Sequence, residues 1–330
     1  MAAIDILIYL PNSYKTRDEQ EYINFLWESY ESNYNNGKYP FAFIAFHMLY
    51  MSFVYFEVWQ IKMNRRLDFE KSLIAFSKDN EKMMLDATTP FAFVEIGESN
   101  FIRFLKLIGC DNAKIGSYCT SVKARNDAAH SNGRIFFNDV NIVDRKVDEI
   151  LRFVDEIQTH SQPIINESLV TFLQESHDPD NREYIDDTDQ IREILIHSNY
   201  LSQKDIEHLL TFDITQLNAD PNYAAMQQLF ETLTAEYAVA INTLRTRAHA
   251  PLVTPAQIDL DFILDERSRE LFSEEERRYT LVRTGKLVER VKLHNVISGP
   301  VITDRDKLLP IPQNVIDANL SKVFPQNPGY

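Results

Sequence analysis

Sixteen consecutive residues, Phe41 to Phe56, pass without a charged side chain. Eight aromatics lie between Phe41 and Trp59, and His47 is the one titratable group of ordinary neutral-pH range inside the run. A membrane span needs about 20 apolar residues, so the run falls short of one. A buried central helix fits it better, and the same surface would also suit a partner chain. Asn35-Asn36-Gly37 stops the helix before it, and Pro40 suits a first helical turn. The pattern predicts one helix over about 41–66. Glycine supports a helical chain. It occurs 8 times in 330 residues, well below the usual share of about 7%. Tight hairpins depend on glycine, which argues against an all-β fold.

The rest of the pattern is also helical. A helix at 18–36 precedes the apolar one. Others are expected at about 68–84, 98–108, 112–131 and 139–159. Asp111 or Asn112 can cap the helix at 112–131 and Asn138 or Asp139 the one at 139–159. Ser131-Asn132-Gly133 can end the helix before it. This gives a helical bundle over 1–160. An acidic helical connector follows over 161–222, with a turn-rich stretch around Pro163 and His177–Asn181 and short helices at 186–198 and 203–211. A third region covers 223–330, with helices at 223–249 and 256–275, the latter opened by Thr254-Pro255. From Val291 onward, five prolines predict a mostly extended tail. The fold class is mainly α, and no solenoid period is present.

The formal net charge is −15, about −4 before residue 160 and −11 after it. Neither part is a general polyanion binder, and no DNA partner is expected. The two cysteines, Cys110 and Cys119, make neither a disulfide framework nor a metal site. No metal and no cofactor is expected. The first eleven residues lack a basic start and a full apolar stretch, and Asp5 interrupts them. No cysteine for a lipid anchor occurs in the first hundred residues. As written, the chain reads as cytoplasmic, with no transmembrane span.

Two constellations stand out. The first is Arg125-Asn126-Asp-Ala-Ala-His130. RNA is cut without metal when a base takes the 2′-hydroxyl proton and a cation steadies the phosphorane. Histidine suits the first task and arginine the second. The bare spacing recurs at Arg192…His197, in an acidic, turn-flanked helix, so context decides. Five helical residues rotate about 500°, so Arg125 and His130 diverge unless a helix ends near His130 or a second copy completes the site. Asn126 and His130 share a face. Small Ala128 and Ala129 permit close helix approach. Here the segment resembles the HEPN superfamily of helical bundles, over about 1–160 and up to 215. The resemblance implies a ribonuclease site of Arg125, Asn126 and His130 at a two-fold dimer interface, with RNA and a second copy as partners, in a toxin or phage-defence setting. Inactive members of that superfamily also exist.

The second constellation fills the last hundred residues. Asn242-Thr-Leu-Arg245-Thr-Arg247 is followed by Leu264-Asp-Glu-Arg267-Ser-Arg269-Glu270-Leu271, then by Arg277-Arg278-Tyr279 and Arg283-Thr-Gly-Lys286. Leu309-Pro-Ile-Pro-Gln313 and Gln326-Asn-Pro-Gly-Tyr330 close the chain. Physically these specify helices and an extended strap, without a nucleophile–base pair or a phosphate loop. Asp259 and Asp261 face differently on a helix and suit a metal poorly. In order and placement, residues 225–330 resemble the C-terminal part of the SusD/RagB family. The resemblance implies a non-enzymatic glycan- or nutrient-binding protein of the outer membrane that works with a TonB-dependent transporter. No ligand residues carry over, because the family's site depends on parts outside the matched tail. The tetratricopeptide-like N-terminal half of that family is not visible here, and the arginines and glutamates of the tail read as structural.

The chain thus reads as two unrelated pieces joined near 213–225. The sequence supports three functions: a SusD-like nutrient-binding protein, a metal-independent HEPN-type ribonuclease, and an inactive helical interaction module.

Overall fold

The computed structural model describes residues 3–130, 136–137, 139–247, 253, 260–270, 277–318 and 325–328. Their architecture is mainly α, with no strand among the described residues; an isolated bridge pairs Pro11 with Ser202. The chain divides into two units, Met1–Ile263 and Leu264–Tyr330.

The first unit begins with α1 (Arg17–Asn35) and α2 (Tyr39–Asn64). The Thr16 hydroxyl accepts from the Glu19 amide, and the Glu19 carboxylate returns to the Thr16 amide. This box satisfies two of the donors a helix start leaves open. Helix α2 runs 26 residues and is therefore long enough to cross a membrane. Burial decides the matter, because 83% of its apolar window lies inside the protein. Ala42, Phe43, Phe46, Leu49, Tyr50, Phe53, Val54 and Val58 are all essentially inaccessible. A helix that is apolar all round belongs inside a core.

The expected helix over 68–84 is broken. It forms α3 (Arg66–Ser72), a 3-10 turn at Leu73–Ala75 and α4 (Lys78–Asp86), which the Ser77 hydroxyl caps. The expected helix over 98–108 is α-helical only through α5 (Glu98–Phe101). It tightens to a 3-10 helix over Ile102–Ile108, which Gly109 ends at φ +87°. Helix α6 (Asn112–Ala129) starts at Asp111, whose carboxylate accepts from the Lys114 amide at 2.9 Å. It stops at Ala129; the expected stop at Ser131–Gly133 lies outside the described residues.

Helix α7 (Val140–Glu175) starts on Asp139 and runs unbroken through residue 159, where the sequence suggested an end. Pro163 lacks the N–H that would bond Thr159, and its ring crowds that carbonyl. It sits on an exposed face, where water can satisfy the freed carbonyl. Helix α7 joins two apolar clusters. Val143, Val147, Ile150, Val154 and Ile157 belong to the cluster built on α2. Ile165, Leu169, Phe172 and Leu173 belong to a second cluster, with Ile191, Leu195, Leu209, Met226 and Leu233. That second cluster is completed by α8 (Asp187–Gln190) and its π-helical continuation Ile191–His197, by α9 (Gln203–Leu209), and by α10 (Tyr223–Arg247). Helix α11 (Leu260–Glu270) follows; Thr254-Pro255, expected to open it, lies outside the described residues.

The second unit holds α12 (Arg277–Arg283), α13 (Leu287–His294), a 3-10 turn at Asp304–Lys307 and α14 (Gln313–Ala318). The proline-containing tail is free of helix at 308–312, but a 3-10 turn and α14 interrupt it, so it is less extended than its composition suggested. Gly299 is buried where a Cβ would lie 2.6 Å from the Asn295 carbonyl oxygen, so no larger residue fits without a backbone shift.

Phe53 is fully buried on α2 and meets Tyr9 edge-to-face at 6.3 Å. Phe53→Ala is expected to lower unfolding free energy by about 3–5 kcal/mol, read by urea denaturation.

Candidate functional site

Arg125 and Asn126 lie near the C-terminal end of α6, and His130 follows it. His130 is the first residue beyond the helix, and its backbone is extended at φ −84°, ψ 145°. Its amide donates to the Asn126 carbonyl at 3.0 Å, which closes the helix end. Because that bond is the ordinary helical one and φ is close to helical, the His130 side chain stays about 500° round the helix from Arg125, and the two diverge within one copy of the chain. His130 is exposed, and its imidazole has no partner among the described residues. Asn126 is half-buried.

Arg125 is held from the other side. Its Nη2 forms an ion pair with Glu98 Oε1, and about a quarter of its side chain is exposed. The second oxygen of Glu98 accepts from His47 Nε2 at 3.0 Å. His47 comes from the middle of α2, and its side chain is fully buried. Three elements thus meet: α2 supplies His47, α5 supplies Glu98, and α6 supplies Arg125.

Burial lowers the His47 pKa; Glu98 pulls it the other way, and Arg125 adds to the lowering. His47 is therefore neutral. Nδ1 is buried without a partner, so the proton belongs on Nε2 and points at the carboxylate. For Glu98, burial opposes ionisation, but His47 and Arg125 outweigh it and hold the carboxyl below its ordinary range. Glu98 ties Arg125 to the core with one guanidinium nitrogen. The remaining guanidinium donors can still grip an anion.

Glu98 lies 27 residues before Arg125 and stands in no motif, so no local pattern pointed to it. His47 was visible only as the single imidazole in an uncharged run. Among the described residues, no group of three His, Cys, Asp or Glu side chains is arranged to hold a metal.

In the second unit, the motif arginines bind the chain to itself. Arg277 Nη1 donates to the Leu264 carbonyl at 2.7 Å. Arg278 Nη2 donates to the carbonyls of Asp306 at 2.5 Å and Leu308 at 3.1 Å. Arg290, nearly buried, pairs with Asp265. The Gln326 amide accepts from Ile311 N at 2.6 Å and donates to Ile311 O at 2.8 Å. Asn327 Nδ2 donates to Leu309 O at 2.6 Å. Two side-chain amides therefore do for the Leu-Pro-Ile-Pro strap what a neighbouring strand would do, using the backbone groups of Leu309 and Ile311 between its prolines. The side chains of Arg245, Arg247, Arg267, Arg269 and Glu270 lie outside the described set, as do Leu271, Gly329 and Tyr330.

This arrangement of arginine clamps and a pinned proline strap coincides with a family match. Residues 231–330 match the model of the SusD family. The C-terminal hundred residues are SusD-like. The match does not reach Arg125, Asn126 or His130. No curated protein and no solved structure matches the chain significantly.

The sign of the Glu98 shift sets a pH dependence. Its folded-state pKa lies below the ordinary 4.5, so its contribution is complete above that value and is lost as pH falls through the lower, folded one. Glu98→Gln is expected to cost about 1–3 kcal/mol at pH 7 and progressively less below about pH 4. Paired denaturation curves across that range check it; a difference that stays constant with pH contradicts the assignment.

Proposed function

We propose that the chain serves in nutrient uptake at the outer membrane. In this reading its C-terminal hundred residues act as a SusD-type element that binds a glycan and works beside a TonB-dependent transporter. The observation that carries the reading is the match of residues 231–330 to the SusD family. The pinned strap and arginine clamps support it by giving those residues a defined internal structure. The reading assigns no chemistry to this part: binding and hand-over need shape and hydrogen bonds, not a nucleophile.

A second reading is favoured by one local observation, the hold of Glu98 on Arg125 near the C-terminal end of α6, which His130 follows. In the HEPN-type interpretation, His130 takes the 2′-hydroxyl proton of RNA. Arg125, steadied by Glu98, stabilises the charge that builds on the phosphorane. Asn126 positions the phosphate, and a second copy completes the site. The partners are then RNA and the chain itself.

One preparation separates the readings. Full-length protein is fractionated from its host membranes and then assayed for RNA cleavage in excess EDTA beside His130→Ala. The uptake reading predicts recovery in the outer-membrane fraction together with a TonB-dependent transporter, with no cleavage. Strictly cytosolic protein that purifies without a transporter contradicts it. Cleavage that falls at least a hundredfold in His130→Ala establishes the ribonuclease instead, at about the usual contribution of a general base.

A further inference from the structure

Two buried carboxylates meet between α2, α7 and α9. Glu57 comes from α2 and Asp205 from the first turn of α9, and neither forms an ion pair among the described residues. The donors around them are shared unequally. Asp205 Oδ2 accepts from the Ser202 amide and hydroxyl, each at 2.9 Å, and from Gln60 Nε2 at 3.2 Å. Gln158 Nε2 reaches its other oxygen at 3.5 Å. Glu57 is left with the Ser161 hydroxyl of α7. Gln60 Oε1 is also buried here, without a partner. Acceptors thus outnumber donors, and a second negative charge would be buried without compensation. A proton on Glu57 leaves Asp205 ionised among its donors and the pair singly charged.

The neighbouring cations are committed elsewhere. Lys204 of α9 pairs with Glu207. Lys114 of α6 holds Glu156 and His160 of α7. Lys62 of α2 donates to the Ala87 carbonyl. Cys110, which precedes α6, is a further titratable group near Glu57. Burial pushes its thiol up to about 11, and Glu57 adds to the rise, so it carries no charge at neutral pH.

The pair also sits at a joint. Glu57 lies on the helix at the centre of the first apolar cluster. Asp205 caps α9, whose Ile206 and Leu209 lie in the second cluster with Met226 and Leu233 of α10. We propose that the proton held between Glu57 and Asp205 is a pH-sensitive latch, which keeps α9 docked on α2 and releases it when lost. Burial and the Asp205 charge raise the folded-state pKa of Glu57 well above its ordinary 4.5. The latch's contribution is therefore complete below that ordinary value and is lost as pH rises through the raised one. Within that window, an opening that releases one proton grows about tenfold per pH unit. The device uses none of Arg125, Asn126 or His130 and none of residues 231–330, so its fate is independent of both readings above.

Hydrogen–deuterium exchange of the full chain between about pH 5 and about pH 8, corrected for the intrinsic exchange rate, tests the proposal. Protection of Gln203–Leu209 is expected to fall at least tenfold across that range. In Glu57→Gln, which keeps the shape of the protonated carboxyl, it should stay constant. Infrared spectra with isotope-labelled glutamate read the proton directly and need no variant. They should show a protonated glutamate carboxyl at about pH 6, where exposed glutamates have already ionised. Constant protection in the wild type, an equal fall in Glu57→Gln, or the absence of that carboxyl overturns the proposal. So does protection of α9 equal to that of α2 throughout, which would mean that the two open only together.

Discussion

A 26-residue helix with apolar side chains on every face is stable in water only when other elements surround it on all sides. Much of the first unit follows from meeting that demand for α2. Helices α1, α6 and α7 pack on it, and the short 3-10 segments close the remaining gaps. Polar residues on such a helix must find partners inside the protein. Lys62 donates to the Ala87 carbonyl at 2.7 Å and lies over the Trp59 ring. Glu57 accepts from the Ser161 hydroxyl on α7. Gln60 donates to Asp205, the residue that caps α9 with Ser202. Asp205 gathers donors from Ser202, Gln60 and Gln158, whereas Glu57 has Ser161. Burial and the nearby Asp205 charge push the Glu57 carboxyl well up, so the pair holds its proton on Glu57.

The same constraint builds the Arg125 site. His47 is buried because α2 is buried, and a buried neutral imidazole needs an acceptor for its N–H. Glu98 provides it and spends its other oxygen on Arg125. A guanidinium near the end of α6 is thereby fixed to the protein core through two side chains. Placement of a charge by rigid neighbours is what either anion binding or catalysis requires. A structural ion pair uses the same geometry, and the difference lies in whether His130 acts on a substrate.

Much of this was legible in the sequence. The buried helix showed itself by sixteen uncharged residues, the caps at Asp111 and Asp139 by residue type, and the C-terminal family by ordered motifs. The course of α7 was not legible, because Pro163 reads as a break unless its exposed position is known. The 3-10 segments at 73–75 and 102–108 also escaped, since helical periodicity does not separate a period of 3.0 from one of 3.6 over a few residues. Glu98 and His47 are joined across 51 residues, and no local pattern announces such a pair. In the tail, the prolines announced an extended path, but its hydrogen-bond partners, Gln326 and Asn327, became visible only with the chain folded.

The central claim is that α2 is the element around which the first unit is assembled. Hydrogen–deuterium exchange of the full chain, resolved by peptide, tests it most directly. The account predicts that the amides of Tyr39–Asn64 exchange most slowly in the first unit, at the rate set by global unfolding. Exchange in that helix as fast as in α3, α4 or α5 would contradict it.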